Sequence, residues 1–254
     1  MNYEFIVFIF SFIAGIGAGL LGIGGGIIII PAFLFIVPLF TTRKFDMAHL
    51  TGISSAQALF SSFLAFLSHK KNGFIDKDIL IKTTLPVVMG TFSGSFLSKI
   101  VPEQILMIMY LCILTILIFS YFKKRETTDL PKHATQYSFL VFFGCSFFTG
   151  ALGLGGAIFF IPALQYFYSL PMINSIGNVT FLVLVGAFFS FIGKSISGQM
   201  PFELLIYILL GAFAGAKIGV NLAKKADSVL LKRLLFVVIL LTAVRVGYSL
   251  FEAM

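Results

Sequence analysis

The sequence predicts an all-α polytopic membrane protein made of two inverted repeats, each a glycine-broken re-entrant helix pair followed by three transmembrane helices. Three observations lead there. Hydrophobic residues fill 59% of the 254 positions and charged ones 11%, with a mean hydropathy of +1.05, whereas about a quarter of a soluble domain is charged. Apolar runs of the length that crosses a hydrocarbon core, about 17 to 25 residues, recur from end to end. Finally, one glycine-rich phrase is written twice, GLLGIGGGIIIIP at residues 19–31 and GALGLGGAIFFIP at 150–162. The runs are continuous, as in LMIMYLCILTILIFSYF from Leu106, so they read as helices and not as the alternating strands of a barrel.

The elements follow in order. Residues 5–40 form the first broken segment, and helices are expected over 47–69, 79–98 and 104–122. The second broken segment covers 136–170, followed by helices over 173–195, 202–222 and 229–250. A broken segment of some 35 apolar residues would make a helix about 50 Å long, far beyond one crossing. It must tilt steeply or turn back, and its glycines are where it turns.

The two phrases agree at eight of thirteen positions: Gly19, Leu21, Gly22, Gly24, Gly25, Ile27, Ile30 and Pro31 match Gly150, Leu152, Gly153, Gly155, Gly156, Ile158, Ile161 and Pro162. The match continues through TGISSAQ at Thr51 and GNVTFLV at Gly177, then Gly90 and Gly94 against Gly215 and Gly219. Residues 1–122 are therefore read as the first membrane repeat, 123–135 as a charged linker and 136–254 as the second membrane repeat.

Basic residues choose the topology. If each broken segment crosses once, Lys70, Lys71, Lys77, Lys82, Lys123, Lys124, Arg125, Lys132 and Lys194 face Arg43, Lys44, Lys99, Lys224, Lys225, Lys232 and Arg233, nine against seven. If each is a hairpin, Lys224, Lys225, Lys232 and Arg233 join the first set and Lys194 leaves it, giving twelve against four. The second score obeys the positive-inside rule. It leaves an odd number of crossings per repeat, which inverts the second repeat and puts both termini outside.

Irregular backbone at membrane depth needs protein cover or a cavity. Two glycine turns dipping in from opposite sides would bring the helix N-termini near Gly26 and Ala157 toward the centre, where free N–H groups and the positive ends of the helix dipoles suit an anion. The candidate backbone donors are Gly24, Gly25, Gly26, Gly155 and Gly156. Polar residues within spans are costly and point to use: Thr51, Ser54, Ser55 and Gln57 in the first repeat, Asn174, Asn178 and Thr180 in the second. Of these, Thr51, Ser54, Gln57, Asn178 and Thr180 are the candidate substrate-binding side chains. The competing readings are glycine packing and helix-to-helix hydrogen bonding. Gly211, Gly215 and Gly219, at i, i+4 and i+8, read as a packing face.

Lys217 and Arg245 are the basic residues well inside predicted spans, and each is close enough to a helix end to snorkel. His49 stands at the mouth of a span and reads as interfacial. No acid falls in the middle of a span, so a carboxylate proton relay is not expected.

Other classes fit poorly. The net charge of +8 sits in short loops, with no platform for nucleic acid. GAGLLG from Gly17 matches the dinucleotide fingerprint without its strand or its acid, and no lysine with serine or threonine follows the glycines as a phosphate loop requires. Zinc spacing is absent, so no catalytic residue, cofactor or metal is expected. Cys112 and Cys145 read as small core residues. With an acid and no base ahead of the first apolar run, a cleaved signal peptide is not expected.

The G-x-G-G-G pattern from Gly22 to Pro31 and its echo from Gly153 to Pro162 resemble the TauE/SafE sulfite exporter family. AHLTGISSAQALFSSFLAFLSHKKNGFID from Ala48 resembles that family's second helix and basic loop, and VLLKRLLFVVILLTAVRVGY from Val229 its last span. The resemblance implies a secondary transporter of small sulfur-containing anions such as sulfite or organosulfonates, usually exporting them across a bacterial cell inner membrane. Alternating access would then move one repeat against the other. A passive anion channel or a structural membrane subunit is the alternative, and the glycine faces make a homodimer a further expectation.

Overall fold

The computed structural model describes residues 3–21, 25–40, 45–70, 75–122, 135–223 and, except for 238, 245 and 249, residues 236–250. Gly24, the linker stretch 123–134, Arg245 and the basic cluster at Lys224, Lys225, Lys232 and Arg233 lie outside the described residues. Everything described is helix, turn or connection, with no strand among the described residues.

The first half runs α1 (Tyr3–Leu21), α2 (Gly26–Pro31), α3 (Met47–Lys70), α4 (Lys77–Leu97) and α5 (Glu103–Phe122). The second runs α6 (Thr135–Leu152), α7 (Ala157–Tyr168), α8 (Met172–Ile196) and α9 (Leu205–Ala223), then further helix at the described positions after 236. Among the described residues four stretches are long and apolar enough to cross a membrane: Met47–Leu67, Lys77–Ile100, Asn174–Ile196 and Phe202–Leu222. At 1.5 Å per residue they are about 32–36 Å long, enough to cross a hydrocarbon core of about 30 Å. This is a multi-pass helical membrane protein.

Both long apolar segments break at their glycines. In the second, Phe142 and Phe160 pack with ring centroids 5.8 Å apart, and Ser138 Oγ lies 3.3 Å from Tyr168 Oη. Partners 18 and 30 residues apart in sequence can meet this way only if α7 folds back along α6. In the first, a methyl added at Gly17 would collide with Ile28, so α2 likewise turns back on α1.

Each returning helix starts from a left-handed glycine, Gly25 at φ 67° and Gly156 at φ 84°, with no side-chain cap. Such a φ is open to glycine and costly for side chains with a Cβ. The two helices then differ. α7 carries Pro162 and stays regular for 12 residues. α2 carries Pro31, passes into a wide turn over Ala32–Ile36, and tightens over Val37–Leu39, where Pro38 removes another donor.

The halves exchange partners. α1 packs along α9 and α6 along α4; α3 crosses α8 at the centre and also touches α9, while α8 touches α4. Small residues make the closest of these contacts. Gly211, Gly215 and Gly219 lay α9 against the backbone of Phe8, Phe12 and Ile16 on α1, and Gly90 and Gly94 lay α4 against Phe143 and Phe147 on α6. A methyl at any of these five glycines would overlap a carbonyl oxygen of the facing helix, so close backbone approach holds the pairs together, as is common where transmembrane helices touch. Gly211, Gly215 and Gly219 are thus a packing face.

The outward faces are apolar. On α4 the exposed residues include Ile81, Leu85, Met89, Phe92 and Phe96, a stripe at helical spacing. Cys112 belongs to the outer face of α5 and is exposed; the expectation of a core cysteine holds only for the half-buried Cys145, because α5 presents Cys112 on the same side as Ile105, Ile108 and Ile116.

Candidate functional site

The first turns of α3 organise the interior. Asp46 starts the helix, its Oδ1 accepting the His49 N–H at 2.8 Å, and its carboxylate also pairs with the His49 ring. That ring is 43% exposed, so His49 lies at the surface of the bundle and not in its buried interior. One turn further in, Thr51, Ser54, Ser55 and Gln57 are all fully buried.

Ser54 is where the two glycine turns meet. Its hydroxyl donates to the Gly153 carbonyl at 2.9 Å. The same hydroxyl occupies the space in front of Gly26, where a methyl would also stand 3.1 Å from Leu154 Cδ2 and 3.3 Å from the Gly153 carbonyl oxygen. Gly153 itself, at φ 67°, is pressed against the Thr51 carbonyl and Ser55. Here lies the reason for Gly26 where the second phrase has Ala157: the Ser54 hydroxyl fills the volume that the Ala157 methyl takes in the other turn.

Gln57 sits beside Gly25, its Cγ 3.1 Å from where a methyl on that glycine would be. Its Nε2 donates to the Ser11 carbonyl at 3.1 Å, while its Oε1 and the Ser11 hydroxyl are buried without a partner among the described residues. Buried polar atoms are nearly always paired, so this corner between α1 and α3 is a place for a further polar group. Tyr110 reaches the same region from α5, its hydroxyl donating to the Ile27 carbonyl at 3.1 Å.

The second-half candidates separate. Gly155 and Gly156 form the left-handed turn into α7, with Gly156 against Phe160 and Thr149. Asn178 Oδ1 instead accepts the Asp76 N–H at 2.9 Å, and its Nδ2 donates to the Asn174 carbonyl at 2.8 Å, tying α8 to the start of α4. Thr180 donates back to the Gly177 carbonyl at 2.7 Å. The structure therefore brings Gly25, Gly26, Thr51, Ser54 and Gln57 together with Gly153, and gives Asn178 and Thr180 bonds along α8 and to the α3–α4 connection.

Sequence reasoning missed Lys194. Counted among the residues at a membrane face, it is fully buried in the last turn of α8. Its Nζ has four oxygens within hydrogen-bond distance for its three N–H groups: Thr51 Oγ1 at 2.7 Å, Ser98 Oγ at 2.6 Å, the Ala151 carbonyl at 2.7 Å and Gln199 Oε1 at 2.9 Å. No carboxylate pairs with it among the described residues. Hydrogen bonds to an ammonium are among the strong ones, and the C-terminal end of a helix favours a cation; together they offset part of the cost of burying the charge. The signal was faint: in the hairpin topology Lys194 is one of only four basic residues on the poorly charged side. Lys217, by contrast, is exposed on the outer face of α9 with Phe213.

Helices broken at mid-segment, with irregular turns meeting on a buried polar surface inside a multi-pass bundle, define the class of membrane transporters built on discontinuous helices. A profile of the sulfite exporter TauE/SafE family matches residues 7–246, and the chain belongs to that family. It is 25% identical over 192 residues to the probable membrane transporter protein YdhB of Bacillus subtilis (strain 168), covering 73% of this chain and 78% of that one. It is 27% identical over 201 residues to the probable membrane transporter protein ORF9 of Sinorhizobium sp, covering 76% of each. No solved structure matches.

Proposed function

We propose that this protein is a secondary transporter that exports small sulfur-containing anions, sulfite or organosulfonates, across a bacterial cell inner membrane, with both termini outside and the two repeats inverted. Lys194 leaves the charge count of the poorly basic side, which strengthens the bias behind that orientation. The observation that carries the reading is the meeting of the two glycine turns at Ser54, beside a fully buried ammonium that no carboxylate among the described residues neutralises. A positive charge in a medium of low dielectric attracts an anion far more strongly than it would in water.

In this reading the substrate lies against Gly25, Gly26, Thr51, Ser54 and Gln57. The N–H groups opening α2 and α7, reached through Gly25–Gly26 and Gly155–Gly156, supply donors, and Asn178 and Thr180 hold the start of α8 in register. The protein works as a transporter and not as an enzyme, as the family and the names of its relatives support. No cofactor or nucleic acid takes part. The apolar outer faces suit lipid or, in a homodimer, a second copy.

Proteoliposomes loaded with unlabelled sulfite and placed in labelled sulfite test this. A transporter gives saturable uptake accelerated by the internal anion, with little response to chloride. Flux that is linear in concentration and indifferent to internal sulfite means a passive pore, and the proposal fails.

A further inference from the structure

Lys194 lies directly behind a surface turn. Gly198, at φ 75°, is exposed and a methyl placed on it meets nothing within 4 Å. The next residue, Gln199, is buried and holds the Lys194 ammonium. From there the contacts run inward without a gap: Lys194 to Thr51, the Thr51 carbonyl against Gly153, the Gly153 carbonyl to Ser54, and Ser54 in front of Gly26. The buried Gln199 thus stands between the exposed turn and the Lys194 Nζ, and a thread of polar contacts joins that nitrogen to the glycine turns.

The ammonium is also over-supplied. It has three N–H donors, yet four oxygens from four separate segments lie within 2.6 to 2.9 Å. One acceptor can leave without orphaning a donor. Gln199 is the one best placed to go, since it stands in the short connection between α8 and α9 and has the longest of the four bonds. The hydroxyls of Thr51 and Ser98 donate to the Ala48 and Ser95 carbonyls at 2.8 and 2.6 Å, and the Gln199 amide puts one N–H on Ser197 Oγ at 2.8 Å, so the donors that face an incoming anion are those of Lys194 itself and the second N–H of the Gln199 amide.

We propose that Lys194, Thr51, Ser98 and Gln199 form a binding site for a small oxyanion, the station at which substrate enters the path toward the glycine turns from the α8–α9 side, with Gln199 as its cover. The site rests on the transport reading above and adds to it the residue that selects for negative charge. An oxyanion takes the place of the Gln199 amide on the ammonium, and the buried charge gains the counter-charge it lacks.

The test uses the full-length protein in detergent, with sulfite, sulfate and chloride at matched ionic strength, and reads anion-dependent thermal stabilisation. Wild type should be stabilised by sulfite over chloride; if it is not, the site proposed here falls together with the transport reading. Given that stabilisation, Lys194→Met should weaken sulfite binding by about tenfold or more, the scale of one charged hydrogen bond, and Lys194→Arg should recover most of it. Binding by Lys194→Met within about twofold of wild type overturns the site and leaves the transport reading standing.

Should Lys194→Met fail to fold, wild type itself answers. A small amine-acetylating reagent, read by mass spectrometry, should modify Lys194 more slowly with sulfite than with chloride, while the exposed Lys99, one residue from Ser98, reports reagent consumption. A Lys194 that never reacts, or that reacts equally in both after normalisation to Lys99, overturns the proposal.

Discussion

Gly26 and Ser54 should behave as a single volume shared between a glycine and a hydroxyl. In Gly26→Ala the new methyl overlaps Ser54 Oγ, so the serine must rotate and give up its 2.9 Å bond to the Gly153 carbonyl. A buried carbonyl left unpaired costs about 1–3 kcal/mol. Ser54→Ala loses the same bond and should cost about the same. In the double variant the methyl on residue 26 enters space the hydroxyl has vacated, where its nearest remaining neighbours are 3.1 and 3.3 Å away, and the bond cannot be lost twice. The pair should therefore cost no more than Ser54→Ala alone, a coupling of about 1–3 kcal/mol between residues in contact.

For a chain of this size 1 kcal/mol moves the midpoint by about 2–4 °C. Each single variant should then melt about 4–8 °C lower for a loss of about 2 kcal/mol, with the double variant at the level of Ser54→Ala. Far-ultraviolet circular dichroism in detergent is the assay, because the chain has no tryptophan and helix content is what is lost. Additive losses, or a Gly26→Ala variant as stable as wild type, would refute the shared volume, and with it the explanation of why the second repeat carries alanine.

Three further outcomes can be checked by the same melting measurement. Gly153→Ala combines a left-handed φ with collisions against the Thr51 carbonyl and Ser55 backbone, so it should cost more than about 3 kcal/mol and sharply lower the yield of folded protein; Gly198→Ala, equally left-handed but in open space, should cost only about 1–2 kcal/mol. Tyr110→Phe leaves the Ile27 carbonyl without its donor and should cost about 1–3 kcal/mol. Asn178→Ala frees the Asp76 N–H at the start of α4 and should cost about as much, with hydrogen exchange rising at the start of α4 before it rises elsewhere.

Much of the architecture could be read before any coordinates, because a bilayer imposes one length and one polarity on whatever crosses it. The runs over 47–69, 79–98, 173–195 and 202–222 reappear as α3, α4, α8 and α9 within a few residues, and the glycines mark the breaks. Thr51, Ser54 and Gln57 were legible as polar groups in apolar company. Lys194 was not, since a lysine near the end of a span ordinarily snorkels, and only the fold reveals that Thr51, Ser98, Ala151 and Gln199 close over it. The bond from Asn178 to Asp76 spans 102 residues, a pairing no local pattern contains. The irregular path after α2 had a cause in view, Pro38 seven residues beyond Pro31, but proline alone does not say whether a helix widens, tightens or stops.

The glycine faces decide which pieces of this protein can travel as solid bodies. With α1 fastened to α9 and α4 to α6 through backbone contact, each tight pair takes one helix from either side of the linker. Pulling the sequence halves apart would strip both pairs at once, an interface with no slack for sliding. A movement that kept both pairs whole would carry α1 with α9 on one side and α6 with α4 on the other, and the seam between them runs through the contact of α3 with α8, where Thr51 and Lys194 clasp. The seam in the packing is thus sewn from both halves of the chain, and it does not follow the cut at the linker that the sequence suggests.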